Sequence, residues 1–194
     1  MTLKLNIIVG STRPGRKGPV IGQWLKNAAE DHAAFEATLV DLAAFDLPLL
    51  DEAAHPAFGQ YVHQHTKSWS ESVRSADAFV FVTPEYDYFP PASLVNAVQV
   101  LLREWGKKPA GVVSYGGVSG GLRGAQVLRQ LLSNVNVHAL SPTVPIPFFP
   151  QFIDAEGVFS PNDEISGGAR AMLDELHRWA GAMKSLRSEA VTPA

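Results

Sequence analysis

The chain of 194 residues contains no cysteine. That absence removes disulfides, thiolate nucleophiles, zinc–thiolate centres and Cys-x-x-Cys redox pairs. Any redox chemistry must then belong to a bound cofactor. Charge is also sparse: 18% of residues are charged and the formal net charge is −3, so no polybasic face is offered to nucleic acid or anionic lipid. A nucleic-acid partner is not expected. No apolar run approaches the ~18 residues of a membrane span, and the N-terminus lacks the charged, apolar and small-residue order of a secretory signal. The expectation is a cytoplasmic protein without a membrane span. Of the six histidines, only His63 and His65 lie close together. Two apart on a helix they would diverge by about 200°, whereas a helical metal pair needs a spacing of three or four. His65 instead shares a helical stripe with Val62, Trp69 and Val73, as a packed, hydrogen-bonded residue would. No metal site is expected.

What the sequence does contain is an alternation. Five short segments rich in β-branched residues read as strands: 3–9, 35–42, 78–83, 110–115 and, more weakly, 135–140. Helical periodicity lies between them, in a stripe of Val20, Ile21, Trp24, Leu25 and Ala28 and another of Leu94, Val98, Leu101, Leu102 and Trp105. The clearest stripe is the last: Ala169, Met172, Leu173, Leu176, Trp179, Ala180 and Met183, with Arg170, Asp174 and Arg178 opposite. Strand–helix alternation over a length typical of one domain predicts an α/β fold. The specific expectation is a three-layer α/β/α sandwich, flavodoxin-like, on a five-stranded parallel sheet of order 2-1-3-4-5, spanning 1–194 as one domain. The stretch "SPTVPIPFFPQF" (141–152) is stiff and apolar. It reads as a loop lying over its own domain, or as a subunit contact or lid that covers Phe148, Phe149 and Phe152.

In such a sheet ligands bind beyond the carboxyl ends of the strands, where strand order reverses. Strands 1, 3 and 4 are neighbours there, and the three loops that follow them are the most unusual stretches of the chain. "GSTRPGRKGP" (10–19) sits between a strand and a helix, where free N–H groups and the helix dipole attract an anion. It is neither a Walker loop nor a G-x-G-x-x-G fingerprint, and one terminal phosphate suits it better. "TPEYDYFPP" (83–91) supplies aromatic faces on a rigid backbone, and "SYGGVSGG" (114–121) is nearly free of side chains, so its backbone can approach a ring edge. Together the three suit a phosphorylated flat cofactor.

Those three motifs, with "TPEYDYFPPASLVNAV" and "SYGGVSGGLRGAQVLRQLL" in the same order and spacing, resemble the NADPH-dependent FMN reductase family over nearly the whole chain. The resemblance implies non-covalent FMN. It places the phosphate on Ser11, Arg13 and the loop amides through Gly18, Pro19 and Val20. The ring would lie along Pro84, Glu85, Tyr86, Asp87 and Tyr88 and along Ser114, Tyr115, Gly116 and Gly117. It further implies hydride transfer from NADPH or NADH to the flavin and onward to a small-molecule acceptor such as a quinone, azo dye, metal oxyanion or free flavin. Association as a homodimer or homotetramer is implied too. The flavin does the chemistry, so no catalytic acid or base is nominated. Asp87 stands where the family pattern has Asn, and an ionised Asp87 beside the ring would lower the flavin's reduction potential. Arg16 and Arg123 are the candidates to read a 2′-phosphate.

Two other readings use the same residues. Gly117–Gly121 is a formal G-x-S-x-G, and chain order permits a serine-hydrolase triad on Ser119, because Asp154, Asp163 and Asp174 precede His177. That reading leaves the basic first loop and the aromatic second loop without a role. An FMN-binding electron-transfer or sensory module is the other, but carriers of that kind are strongly acidic and −3 is mild.

Overall fold

The computed structural model describes residues 2–189. Its strands are β1 (Leu3–Val9), β2 (Phe35–Asp41), β3 (Ala78–Pro84), β4 (Lys108–Tyr115) and β5 (Val137–Ile146). All pair in parallel, in the predicted order β2-β1-β3-β4-β5. The helices are α1 (Gly18–Asp31), α2 (Gln64–Ser75), α3 (Ala92–Gln99), α4 (Leu122–Asn134) and α5 (Asp163–Glu189).

Period-2 alternation divides each central strand between two cores. In β3, Ala78, Val80 and Val82 face Ile21 and Leu25 of α1 and Met172 and Leu176 of α5. Phe79 and Phe81 face the opposite way, against Trp69 of α2, Leu94 of α3 and Leu128 of α4. Each such fully buried side chain contributes about 1.5–3 kcal/mol. The approach of α5 depends on Gly111: a Cβ there would lie 2.6 Å from Met172 Sδ.

Three local expectations change. The stripe from Leu94 to Trp105 is not one helix. The helix α3 stops at Gln99, and the chain turns back toward β4 while still burying Leu101 and Trp105. Trp105 fills the space beside Phe79 and Trp69 and donates its indole N–H to the Val98 carbonyl at 3.1 Å. The last strand is longer and later than 135–140, running through Ile146 and absorbing half of the proline-rich stretch. Its pairing with β4 shifts register between Ala110 and Val112. An edge strand tolerates Pro142 and Pro145 where a central one would not. Finally, His63 is not on a helix. It is the extended residue before α2, so the divergence argument fails, and its ring stacks on that of His65 with centroids 5.2 Å apart. Both imidazoles point at one carboxylate, with His65 Nε2 3.1 Å and His63 Nε2 3.8 Å from Asp51.

Candidate active site: a cleft at the carboxyl ends of β1, β3 and β4

The first loop leaves β1 with the Gly10 N–H bonded to the Val82 carbonyl at 2.9 Å, which fixes it to β3. Ser11 is buried and its hydroxyl shares a 2.9 Å hydrogen bond with the Tyr86 phenol, while accepting the Arg13 N–H at 3.3 Å. A turn closed by Arg16 N–H to Arg13 C=O, with Gly15 at φ +73°, then leads into α1. Arg16 is drawn aside by Asp41, the last residue of β2, at 2.5 Å. Arg13 and Lys17 stay exposed. Helix α1 has Pro19 in its first turn and no side-chain cap, so early N–H groups such as that of Val20 have no intrahelical partner. Gly18 lets this helix start close in: a Cβ there would lie 2.8 Å from Val9 Cγ1 and 3.1 Å from the Tyr115 phenol oxygen.

The second loop is a two-residue hairpin. Tyr86 and Phe89 exchange both backbone hydrogen bonds at 2.9 Å, and Asp87 and Tyr88 take φ of +50° and +74°. Both central residues lie in the left-handed region that a type I′ turn demands. Tyr86 therefore faces inward to Ser11, and Asp87 and Tyr88 form an exposed tip. There the Arg123 guanidinium stacks 4.1 Å over the Tyr88 ring.

Glu85 joins the second loop to the third. Its carboxylate, 8% exposed, accepts N–H groups from Arg123 (3.0 Å) and Gly124 (3.2 Å) in the first turn of α4, and the Ser119 hydroxyl at 3.2 Å. The Arg123 side chain adds an ion pair at 2.9 Å. A carboxylate at a helix N-terminus is favoured by the free N–H groups and by the dipole together. The third loop turns through Gly120 and Gly121, at φ +59° and +82°, and the Ser114 hydroxyl donates to the Gly120 carbonyl at 2.8 Å.

These loops enclose a cleft of about 650 Å³, within the range of small-molecule sites. Of the residues expected from the sequence, Arg13, Pro84, Glu85, Tyr86, Tyr115, Gly116 and Gly117 line it. Ser11 sits behind Tyr86, Ser114 lies beneath the glycine turn, and Gly18, Pro19 and Val20 open α1 without being part of that lining. Asp87 and Tyr88 are at the hairpin tip, where water screens the Asp87 charge. Burial, with Tyr86 beside it, pushes the Tyr115 phenol above its ordinary value, so it remains a protonated phenol across the physiological range. The other wall is Phe148, Phe149, Pro150 and Gln151, from the proline-rich stretch. Phe149 packs edge-on to Tyr115 at 5.1 Å, and Phe148 is held at φ +47° by its N–H bond to the Gly117 carbonyl. The three phenylalanines were the signal for this wall; for the Arg16–Asp41 pair the sequence carries none.

The residues fit a phosphorylated flat cofactor. A Cβ on Gly15 or Gly117 would meet nothing within 4 Å, so backbone on both sides opens onto the cleft. Aromatic side chains and Pro84 supply flat apolar walls, and Arg13 and Lys17 supply a cationic end. A hydrolytic triad is not assembled. Ser119 is spent on Glu85, while His177 packs on Phe35, the first residue of β2 at the opposite end of the sheet, and Asp174 pairs with His32 at 2.9 Å.

A comparison with protein families matches residues 3–151 to the NADPH-dependent FMN reductases. The chain belongs to this family. The FMN reductase match is supported by a Schizosaccharomyces pombe NAD(P)H-dependent FMN reductase, 36% identical over 188 residues, 96% of this chain and 91% of that one. A Saccharomyces cerevisiae NAD(P)H-dependent FMN reductase is 34% identical over 75% of this chain and 85% of its own length. A Pseudomonas putida quinone reductase is 28% identical, over 89% and 92%. Among solved structures, a flavoenzyme NAD(P)H:(acceptor) oxidoreductase from Paracoccus denitrificans superposes with a TM-score of 0.73 at 20% identity, covering 94% of this chain and 99% of that one. This FMN reductase fold is thus the flavodoxin-like one.

Proposed function

We propose that the chain binds FMN in the cleft beyond β1, β3 and β4 and uses it to pass reducing equivalents from NADPH or NADH to a small oxidised acceptor. The observation that carries this reading is the convergence of a cationic loop, an aromatic hairpin and a glycine turn on one cleft of about 650 Å³. When bound, FMN supplies the capacity to take a hydride and release electrons to an acceptor. The chain's own residues do the rest. Arg13, with N–H groups at the start of α1, holds the phosphate, and the buried Ser11 hydroxyl braces the Tyr86 phenol beside it. Pro84, Tyr86, Gly116 and Gly117 border the ring, and Phe148 and Phe149 exclude water from its side. The Tyr115 phenol, kept protonated by its burial, serves as a hydrogen-bond donor at the cleft floor.

No charged side chain of the cleft singles out one acceptor, so quinones, azo compounds, metal oxyanions and free flavins form one class for this site. Arg16 and Arg123, the sequence candidates for a 2′-phosphate, are each held in an ion pair, with Asp41 and Glu85. Each pair uses one guanidinium nitrogen and leaves the others free to donate. A second copy of the chain, in a homodimer or homotetramer, would complete the open side of the cleft. The reading also places the protein in the cytoplasm; among the described residues no helix is long and apolar enough to cross a membrane.

The decisive measurement is the absorption spectrum of the purified protein. A flavin spectrum that bleaches anaerobically on NADPH addition and recovers on adding a quinone is expected, with steady turnover and no partner reductase. A protein that stays colourless after incubation with FMN would end this reading; a coloured protein without turnover would make it an electron carrier.

A further inference from the structure

The opposite end of the sheet carries a second feature that the flavin cleft does not explain. Around the first residue of β4 is a recess of about 430 Å³, to which Arg74, Arg103, Lys108 and Arg187 contribute cationic side chains. Glu104 is the one carboxylate among its described lining residues. Its side chain is only 2% exposed and is already bound by the Ser70 hydroxyl (2.7 Å), the Tyr61 phenol (3.1 Å) and Arg74 (3.5 Å). Asp77, a second carboxylate that acts on Lys108, is occupied by Lys184 at 2.7 Å and Arg187 at 2.9 Å.

Lys108 is 5% exposed, and its ammonium donates to the carbonyl oxygens of Val73 at 2.8 Å and Arg74 at 3.1 Å, at the C-terminal turn of α2, and lies 5.5 Å from the centre of the Phe79 ring. Three donors on that ammonium leave one beyond those two bonds. Burial, and then the Arg187 guanidinium, lower its pKa to about 8, against the smaller opposing pull of Asp77 and Glu104. The Arg103 side chain lies across the mouth, where a Cβ on Gly59 would be 3.8 Å from its Nη1. Positive charge is therefore gathered in a concave site on a chain whose net charge is −3. Like charges brought together this way repel unless an anion lies between them.

We infer that this recess is a binding site for a small phosphate-bearing anion, held between Lys108 at its floor and Arg74 and Arg103 at its mouth. With the Lys108 ammonium buried at the floor, contact with it needs a ligand small enough to enter the recess. A phosphate group presents several oxygens and about two negative charges in the space of one group, matching forked guanidinium donors and a point-like ammonium at once. The site is at the strand end opposite the flavin cleft, so a ligand there does not compete for the same cavity.

The test uses FMN-saturated full-length protein, so that the flavin phosphate site is already filled, titrated calorimetrically with inorganic pyrophosphate at low ionic strength, with citrate and sodium chloride as controls. Saturable pyrophosphate binding is expected, weakened about tenfold or more in Arg103→Ala and again in Lys108→Met, with FMN content unchanged. Arg103 is exposed, so its substitution leaves the fold intact even if Lys108→Met does not fold. Three results would overturn the assignment: no heat with the wild-type protein, binding as tight as the wild type's in both Arg103→Ala and Arg74→Ala, or a response that sodium chloride reproduces at matched ionic strength. Citrate binding in place of pyrophosphate would overturn the phosphate selectivity. Because FMN content is read separately by absorbance, failure of this site and failure of the flavin assignment give different results.

Discussion

At the scale of single residues, Arg13 and Arg16 make the point that neighbours of like chemistry acquire different roles from where the chain turns. Both are arginines of one loop and both line the cleft, yet Arg16 is tied to Asp41 while Arg13 stays exposed. Replacing Arg13 with alanine is expected to leave the melting transition unchanged, since its side chain supports nothing in the fold. FMN affinity should fall roughly ten- to a hundredfold, the equivalent of about 1.5–3 kcal/mol for a lost charge-assisted hydrogen bond. A fluorescence titration giving wild-type affinity would remove Arg13 from the site. The sequence made the basic loop visible because three cations between a strand and a helix are unusual. It gave no sign of the Asp41 partner, which lies 25 residues away and meets Arg16 only because β2 pairs beside β1.

At the scale of elements, a buried carboxylate positions the cleft together with the glycine turn. Glu85 fastens the hairpin after β3 to the first turn of α4, and so holds two walls of the cleft at a fixed separation. Glu85→Ala would leave the Ser119 hydroxyl and two helix N–H groups without that acceptor. A loss of about 1–3 kcal/mol is expected in urea melts, with Glu85→Gln recovering part of it because an amide oxygen still accepts from the helix. An alanine variant as stable as the wild type would show that the carboxylate clamps nothing. The motif containing Glu85 is legible in the sequence, but the direction of its side chain is not. Whether a carboxylate turns to a ligand or to a helix terminus depends on where α4 begins, and that is set by Gly120 and Gly121 adopting positive φ. The strands were readable from their β-branched runs. The end of β5 was not, because proline argues against a strand everywhere except at a sheet edge.

At the scale of the whole molecule, one acid closes the fold: Asp77 ties α5 back to the start of β3 through Lys184 and Arg187, and accepts the Lys4 N–H at 3.1 Å. Burial opposes ionisation of Asp77, but these partners outweigh it and hold its pKa below the usual carboxylate range. A carboxylate depressed in the folded state contributes stability that is fully present above its unfolded value of about 3.9 and disappears as pH falls through the folded one. Asp77→Asn should therefore be less stable than the wild type at neutral pH, with the two curves converging under acid conditions. Urea melts across that range would check it, and a constant gap at every pH would refute it. Strand–helix alternation made the layer order and sheet topology legible, because each crossover has one favoured hand. The recess at the far end was invisible, since Arg74, Arg103, Lys108 and Arg187 meet there from separate parts of the chain. The prolines of β5 have one more consequence. An outer strand with a full row of N–H groups is a template on which other chains can add and aggregate, and Pro142 and Pro145 bring no N–H to β5. Growth of the sheet is thereby disfavoured at its β5 edge.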